Sequence, residues 1–286
     1  MKMGGPDNTQ TGNPKAPHLH PDCHFVASAF NAVINFPLWK ASTIGQSGFV
    51  VQSNGILGKY IEALKPPYKG VGATIFGMTW ARAAIFYGSD AGKNLMLAYG
   101  APNSVATFFP PMVVSTFVQF VNMPIVRATI TIQNPTSKID GVISALKDIH
   151  ARKGVQGLWH GTSAGVLKTV PKYVTAVLVK DYMEQYMAPA RKDHNGDPIH
   201  AEVLLRSAKK SATAGVAGAV LTNPLDVLRN EMFKTDLPLT DTLKKLQTDY
   251  KGLSWTVRGM GKNMVAVAIP VASTIFLTDA FINLKL

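Results

Sequence analysis

Residues 222–235 read TNPLDVLRNEMFKT. Pro224 is followed at fixed spacing by an acid, Asp226, and a base, Arg229. Two other stretches begin alike, NFPLWKASTIGQ at 35–46 and NMPIVRATITIQ at 122–133. They keep Pro37 and Pro124, but Trp39 and Val126 hold the acid position, and Ser42 and Thr129 the base position. Nine residues after the proline stand Gln46 and Gln133 in these copies and Phe233 in the first. One motif therefore occurs once intact and twice without its charges.

A second repeat lies downstream of each proline. YKGVGATIFGMTWARAAIFYGSD (68–90), WHGTSAGVLKTVPKYVTAVLVKD (159–181) and VRGMGKNMVAVAIPVASTIFLTD (257–279) share one register. Gly70, Gly161 and Gly259 each precede an aspartate by 20 residues: Asp90, Asp181 and Asp279. Such self-similarity marks a triplicated unit. Each unit reads as a helix with a proline near its end, a loop with a short amphipathic segment, and a second helix. In 139–159 that segment places Ile139, Val142, Ile143, Leu146 and Ile149 on one face.

The composition is 47% hydrophobic and 16% charged, with mean hydropathy +0.10. Residues 24–39, 101–126 and 263–278 contain no Asp, Glu, Lys or Arg. Residues 70–89 carry only Arg82, 161–179 only Lys168 and Lys172, and 207–225 only Lys209 and Lys210. These are six candidate membrane segments, several of them weak. Their Gly, Pro and isolated charges suit helices that line a polar interior. The net charge of +12 fits basic loops facing anionic lipid. Basic patches interleaved with aromatics are missing, so no nucleic-acid partner is expected. A single cysteine, Cys23, excludes an internal disulfide. Residues 1–22 have no apolar core and no Arg-rich amphipathic helix, so neither a secretory signal nor an ordinary transit peptide is expected.

The proline motif and the triplication together resemble the mitochondrial carrier family. The resemblance covers about residues 24–286 and implies an all-α membrane protein of the mitochondrial inner membrane. Six transmembrane helices would form three pseudo-symmetric repeats around a central cavity, with short matrix amphipathic helices. The units would be a polar tail at 1–23, repeats at 24–100, 101–190 and 201–286, and a linker at 191–200. The family's second pattern, aromatic-base-Gly, fits Tyr68-Lys69-Gly70. His160 takes the basic place before Gly161, and Val257-Arg258-Gly259 lacks the aromatic. Lys69, Gly70, Gly161, Arg258 and Gly259 would be cardiolipin sites, since helix openings favour anions. No cofactor is expected, only bound cardiolipin.

In the family, acids and bases of neighbouring odd helices pair to close the matrix side. The resemblance assigns Pro37, Gln46, Pro124, Gln133, Pro224, Asp226 and Arg229 to that gate and its braces. Only one odd helix supplies charges, so none of the three bridges is expected. Lys40 and Arg127 lie roughly 200° around the helix from the base positions and do not substitute. The opposite gate would use Asp90, Asp181 and Asp279, of which only Asp90 is followed three residues on by a base, Lys93; Glu184 and Ile282 occupy the other two places. Solute contacts would fall seven residues beyond each repeat glycine, at Gly77-Met78, Lys168-Thr169 and Ala266-Val267, with Arg82 further along. Lys168 and Arg82 could hold a small monovalent anion, or be remnants in a water-filled cavity.

No nucleophile elbow, Walker loop, HExxH or CxxC is present, and no enzyme is expected. His18, His20, Cys23 and His24 are zinc-ligand types, but spaced too tightly for two ligand pairs, and a polar tail is the plainer reading. With both ionic networks dismantled, the expectation is a carrier fold that no longer transports. It would serve as an accessory subunit of a larger inner-membrane complex such as a respiratory complex. The alternative is a divergent carrier that closes on apolar contacts and still moves a small solute by alternating access.

Overall fold

The computed structural model describes residues 21–49, 55, 58, 61, 68–194 and 196–284. The N-terminal tail, with His18 and His20, and the amphipathic segment expected in the first repeat lie outside them. The described residues are helical almost throughout. A bent first segment is made of α1 (Pro21–Ile34) and α2 (Phe36–Ser47), followed by α3 (Val71–Ala98) and α4 (Asn103–Gln133). Next come α5 (Val142–Leu158), α6 (Thr162–Leu167) and α7 (Thr169–Tyr186). The third repeat has α8 (His200–Thr235), α9 (Leu239–Asp249), a 3₁₀ turn (Ser254–Val257) and α10 (Met260–Asn283).

Six long segments form a closed ring. The first packs on α3, α3 on α4, α4 on α6 and α7, α7 on α8, α8 on α10, and α10 back on α1 and α2. Prolines set the bends. Pro37 sits in the first turn of α2, just after the break at Asn35. The break at Lys168 lies three residues before Pro171, which has no N–H for the carbonyl four residues back.

The ring is polar inside and apolar outside. Asn31, Gln46, Thr129, Asn223 and Thr278 are buried, whereas Phe76, Phe109, Phe117 and Leu178 are more than half exposed. In water this distribution is unfavourable; in lipid it is the expected one. Among the described residues, two segments, Asn103–Gln133 and Ser254–Asn283, are long and apolar enough to cross a membrane. Only 22% of each apolar window is buried, which separates them from core helices of a soluble protein. The expectation of six such spans is met by two on length and composition alone.

The three units interlock cyclically. Gly70, Gly161 and Gly259 each hold a left-handed N-cap with φ of +84°, +86° and +69°. A Cβ on Gly70 would lie 2.8 Å from Ile132, one on Gly161 2.6 Å from Phe233, and one on Gly259 2.5 Å from the Gln46 nitrogen. So the glycine of each unit docks on the proline-bearing helix of the next, one to two, two to three, three to one. Both the backbone conformation and the close approach require glycine.

The amphipathic segment of the second repeat departs from its expected face. Ile139, Val142, Leu146 and Ile149 pack with Ala128, Ile132 and Ala145, but Ile143 is 71% exposed. A stripe stepping 3, 4 and 3 residues leaves Ile143 about 100° from Val142. Cys23 and His24 belong to α1 rather than to a tail. Cys23 is buried, and the His24 ring nitrogen Nδ1 lies 3.2 Å from the Thr278 hydroxyl.

Candidate functional site

Inside the ring, Lys168, Asp226 and Arg229 form a buried triad. Lys168 sits at the α6–α7 break, and its Nζ is 2.6 Å from the Asp226 carboxylate. Arg229, one turn along α8, approaches the same oxygen at 3.0 Å. The expected solute lysine and the surviving gate acid are thus partners. Neither cation on Asp226 comes from another proline-bearing helix. Two cations against one anion leave an excess positive charge in a place shielded from water. Thr169 turns its hydroxyl across the break to the Gly165 carbonyl of α6.

The other expected solute positions are structural or undescribed. Gly77 faces α4, where Asn122 donates to its carbonyl at 3.0 Å and accepts from the Trp80 indole at 2.7 Å. Ala266 is half-buried on α10. The side chains of Met78, Arg82 and Asp181 lie outside the described residues.

At the proline end, ionic links join the repeats through residues outside the motif. The buried Arg127 guanidinium pairs with Asp236, just beyond the end of α8, and donates to the Gly157 carbonyl. Arg127 bridges repeats, though to an acid outside the motif. Its partner lies twelve residues past Pro224, where a left-handed backbone (φ 57°) terminates the helix. Arg258 donates to the Gln46 carbonyl at 2.7 Å and to Glu231 at 2.9 Å. Glu231 is 1% exposed and also meets Lys245 at 3.0 Å.

The brace positions have diverged. Gln46 donates to Asn223 at 3.0 Å, tying the first repeat to the third. Gln133 is buried with neither amide atom hydrogen-bonded. Phe233 instead packs with Met123 and Ile130, flanked by Trp159 and Val126. At the lipid-site positions, Lys69 reaches Asp140 of the second repeat at 3.2 Å, while Arg258 is engaged as above and also by Tyr250.

At the opposite end, Asp279 lies 2.7 Å from His200. Glu184, at a base position, is met at 2.6 Å by both Arg206 and Lys210 of α8. Asp90 and Lys93 make no ion pair among the described residues. Sequence reasoning missed the Arg206 and Lys210 contacts because they compensate an inverted charge from outside the motif.

An apolar-coated helix ring, cyclically interlocked around a charged interior, is an arrangement suited to a lipid surround. A family model for the mitochondrial carrier protein matches residues 101–190. The chain is 26% identical over 213 residues to Protein MITOFERRINLIKE 1, chloroplastic, of Arabidopsis thaliana, covering 72% of this chain and 46% of that protein. It is 23% identical over 227 residues to the mitochondrial basic amino acids transporter of Mus musculus, covering 76% and 71%. To the human mitochondrial carnitine/acylcarnitine carrier protein it is 24% identical over 230 residues, covering 76% and 73%. The chain thus spans less than half the length of the first of these relatives. These similarities support the resemblance to the mitochondrial carriers that the repeats carry.

Proposed function

We propose that this chain is a divergent carrier of the mitochondrial inner membrane, crossing it six times and moving a small solute by alternating access. The supporting observation is the buried Lys168–Asp226–Arg229 triad inside the ring. Its charge pattern suits a solute bearing a carboxylate together with a cationic group, as basic amino acids and carnitine do. The carboxylate would take Lys168 or Arg229, and the cation would lean on Asp226. Two of the three relatives above are named as a transporter and a carrier, which favours transport over an accessory-subunit role. The rebuilt ion pairs at both ends of the ring weaken the argument that lost motif charges abolish gating. An anionic phospholipid such as cardiolipin is proposed at the helix openings around Gly70, Gly161 and Gly259.

The test is counterflow of labelled lysine and carnitine into liposomes carrying the purified full chain. Lys168→Ala is expected to lower uptake about tenfold or more, the worth of one charge-assisted hydrogen bond. No uptake of either solute, combined with co-migration of the native protein in a large complex on a native gel, would return the accessory-subunit reading.

A further inference from the structure

A second charged site lies outside the triad. A cavity of about 130 Å³ opens at the proline end, between α4, α5 and the end of α8. Arg127, Arg152 and Lys234 line it against one acid, Asp236, with Thr131 and Asn134 completing the polar wall. Arg127 is 2% exposed. Its guanidinium spends its outer nitrogens on Asp236 and the Gly157 carbonyl, while its Nε is buried without a hydrogen-bond partner. Arg152 approaches the other Asp236 oxygen at 3.6 Å and Lys153 comes within 4.0 Å of it. Asp148 partly offsets Arg152, at 2.7 Å.

Arg127, Arg152, Lys153 and Lys234 face Asp236 and Asp148, and Glu231, 3.9 Å from Lys234, is shared with Lys245 and Arg258; positive charge stays in excess, and an unpaired buried N–H is costly. A cavity of this size exceeds the volume share of a few waters and accommodates a tetrahedral oxyanion. Phosphate matches guanidinium and ammonium groups better than a halide does, because its oxygens accept several charge-assisted bonds at once.

We propose that this cavity binds a phosphate-sized dianion, either inorganic phosphate or the headgroup of a phospholipid. The dianion competes with Asp236 for Arg152 and takes Lys234, which among the described residues only the distant Glu231 carboxylate (3.9 Å) approaches, as a second cation. Binding there loosens the tie between the second and third repeats, so the site regulates the proline end without touching the triad. It rests on side chains that the carrier motif does not include.

Isothermal titration of the full chain in mild detergent with inorganic phosphate, at ionic strength matched by chloride, tests it. Saturable binding is expected, weakened at least tenfold in the Arg152→Gln/Lys234→Gln variant. Asp236→Asn removes the competing carboxylate and should tighten binding, even though it weakens the inter-repeat tie; a purely structural Asp236 would not do so. Helix content by circular dichroism shows that each variant is folded. Titration with phosphatidic-acid micelles separates the two sources: lipid binding without phosphate binding assigns the site to a headgroup. Absence of both, or affinities unchanged in the double variant, overturns the proposal. The readout is binding, so it stands or falls independently of uptake.

Discussion

Phe233 occupies the place where the other two repeats carry glutamine, and its ring lies 6.0 Å from the Arg127 guanidinium and 5.9 Å from that of Arg229. It is an apolar brace that also faces two cations. Phe233→Gln is expected to cost about 3 kcal/mol, in the range of large core truncations, read by thermal unfolding in detergent. An unchanged melting temperature would remove Phe233 from the brace. Gly161→Ala strains a left-handed backbone and drives a methyl into that ring, at about 1–3 kcal/mol. In a Phe233→Ala background the collision disappears but the backbone strain stays, so the two changes should couple. His160 beside this junction has its pKa pushed below 6.5, first by burial and then by the nearby Arg127 charge. The unfolded chain therefore binds a proton more readily than the folded one below about pH 6.5. Stability should fall as pH drops through that value and level off below the folded pKa. His160→Asn should flatten this part of a pH–melting profile.

At the scale of elements, α9 is held by its apolar stripe. Leu239, Leu243 and Leu246 pack on Val227, Leu228 and Trp255. Beside it, Glu231 collects Arg258 and Lys245 from two sides. These two cations are not equivalent. Arg258 is 10% exposed in its side chain and Lys245 36%. Glu231→Gln leaves the buried guanidinium without its counter-charge and should cost about 3–5 kcal/mol. Lys245→Met removes a largely solvated partner and should cost about 0–1 kcal/mol. Chemical denaturation of both variants gives the ranking; equal effects would mean that the network is not organised around Arg258. The stripe of α5 was legible as a helical period, yet Ile143 was misassigned. Sequence spacing alone cannot show which edge of an apolar face the neighbouring helix covers.

On the scale of the whole molecule, the ring is closed at its proline end by Arg127–Asp236 between repeats two and three and by Arg258–Gln46 between three and one. Between one and two it relies on Gly70 packed against Ile132, with Lys69–Asp140 at the surface. Alternating access needs such contacts to break in one state and form in the other. Removing both latch acids, Glu231→Gln with Asp236→Asn, should open this end. A cysteine introduced at Ser42, in a Cys23→Ser background, should then react with a polar maleimide about tenfold faster than with the latches intact. Equal labelling rates would mean that apolar packing alone holds the end shut.

The triplication, the helical class and the bends were legible in the sequence by itself, because each depends on local chemistry. Proline removes a donor wherever it stands, glycine alone tolerates a left-handed cap under a close neighbour, and a fixed interval between them repeats without regard to fold. The resemblance to mitochondrial carriers followed from those same positions. Which charges meet was decided only in three dimensions. Asp226 reads as a gate acid, but the helix break at Lys168 places an ammonium group on it. Arg127 lies off the motif's base position, yet the left-handed end of α8 sets Asp236 against it. A buried charge must find its counter-charge in whatever segment the packing brings near, and that distance in space has no signature in spacing along the chain.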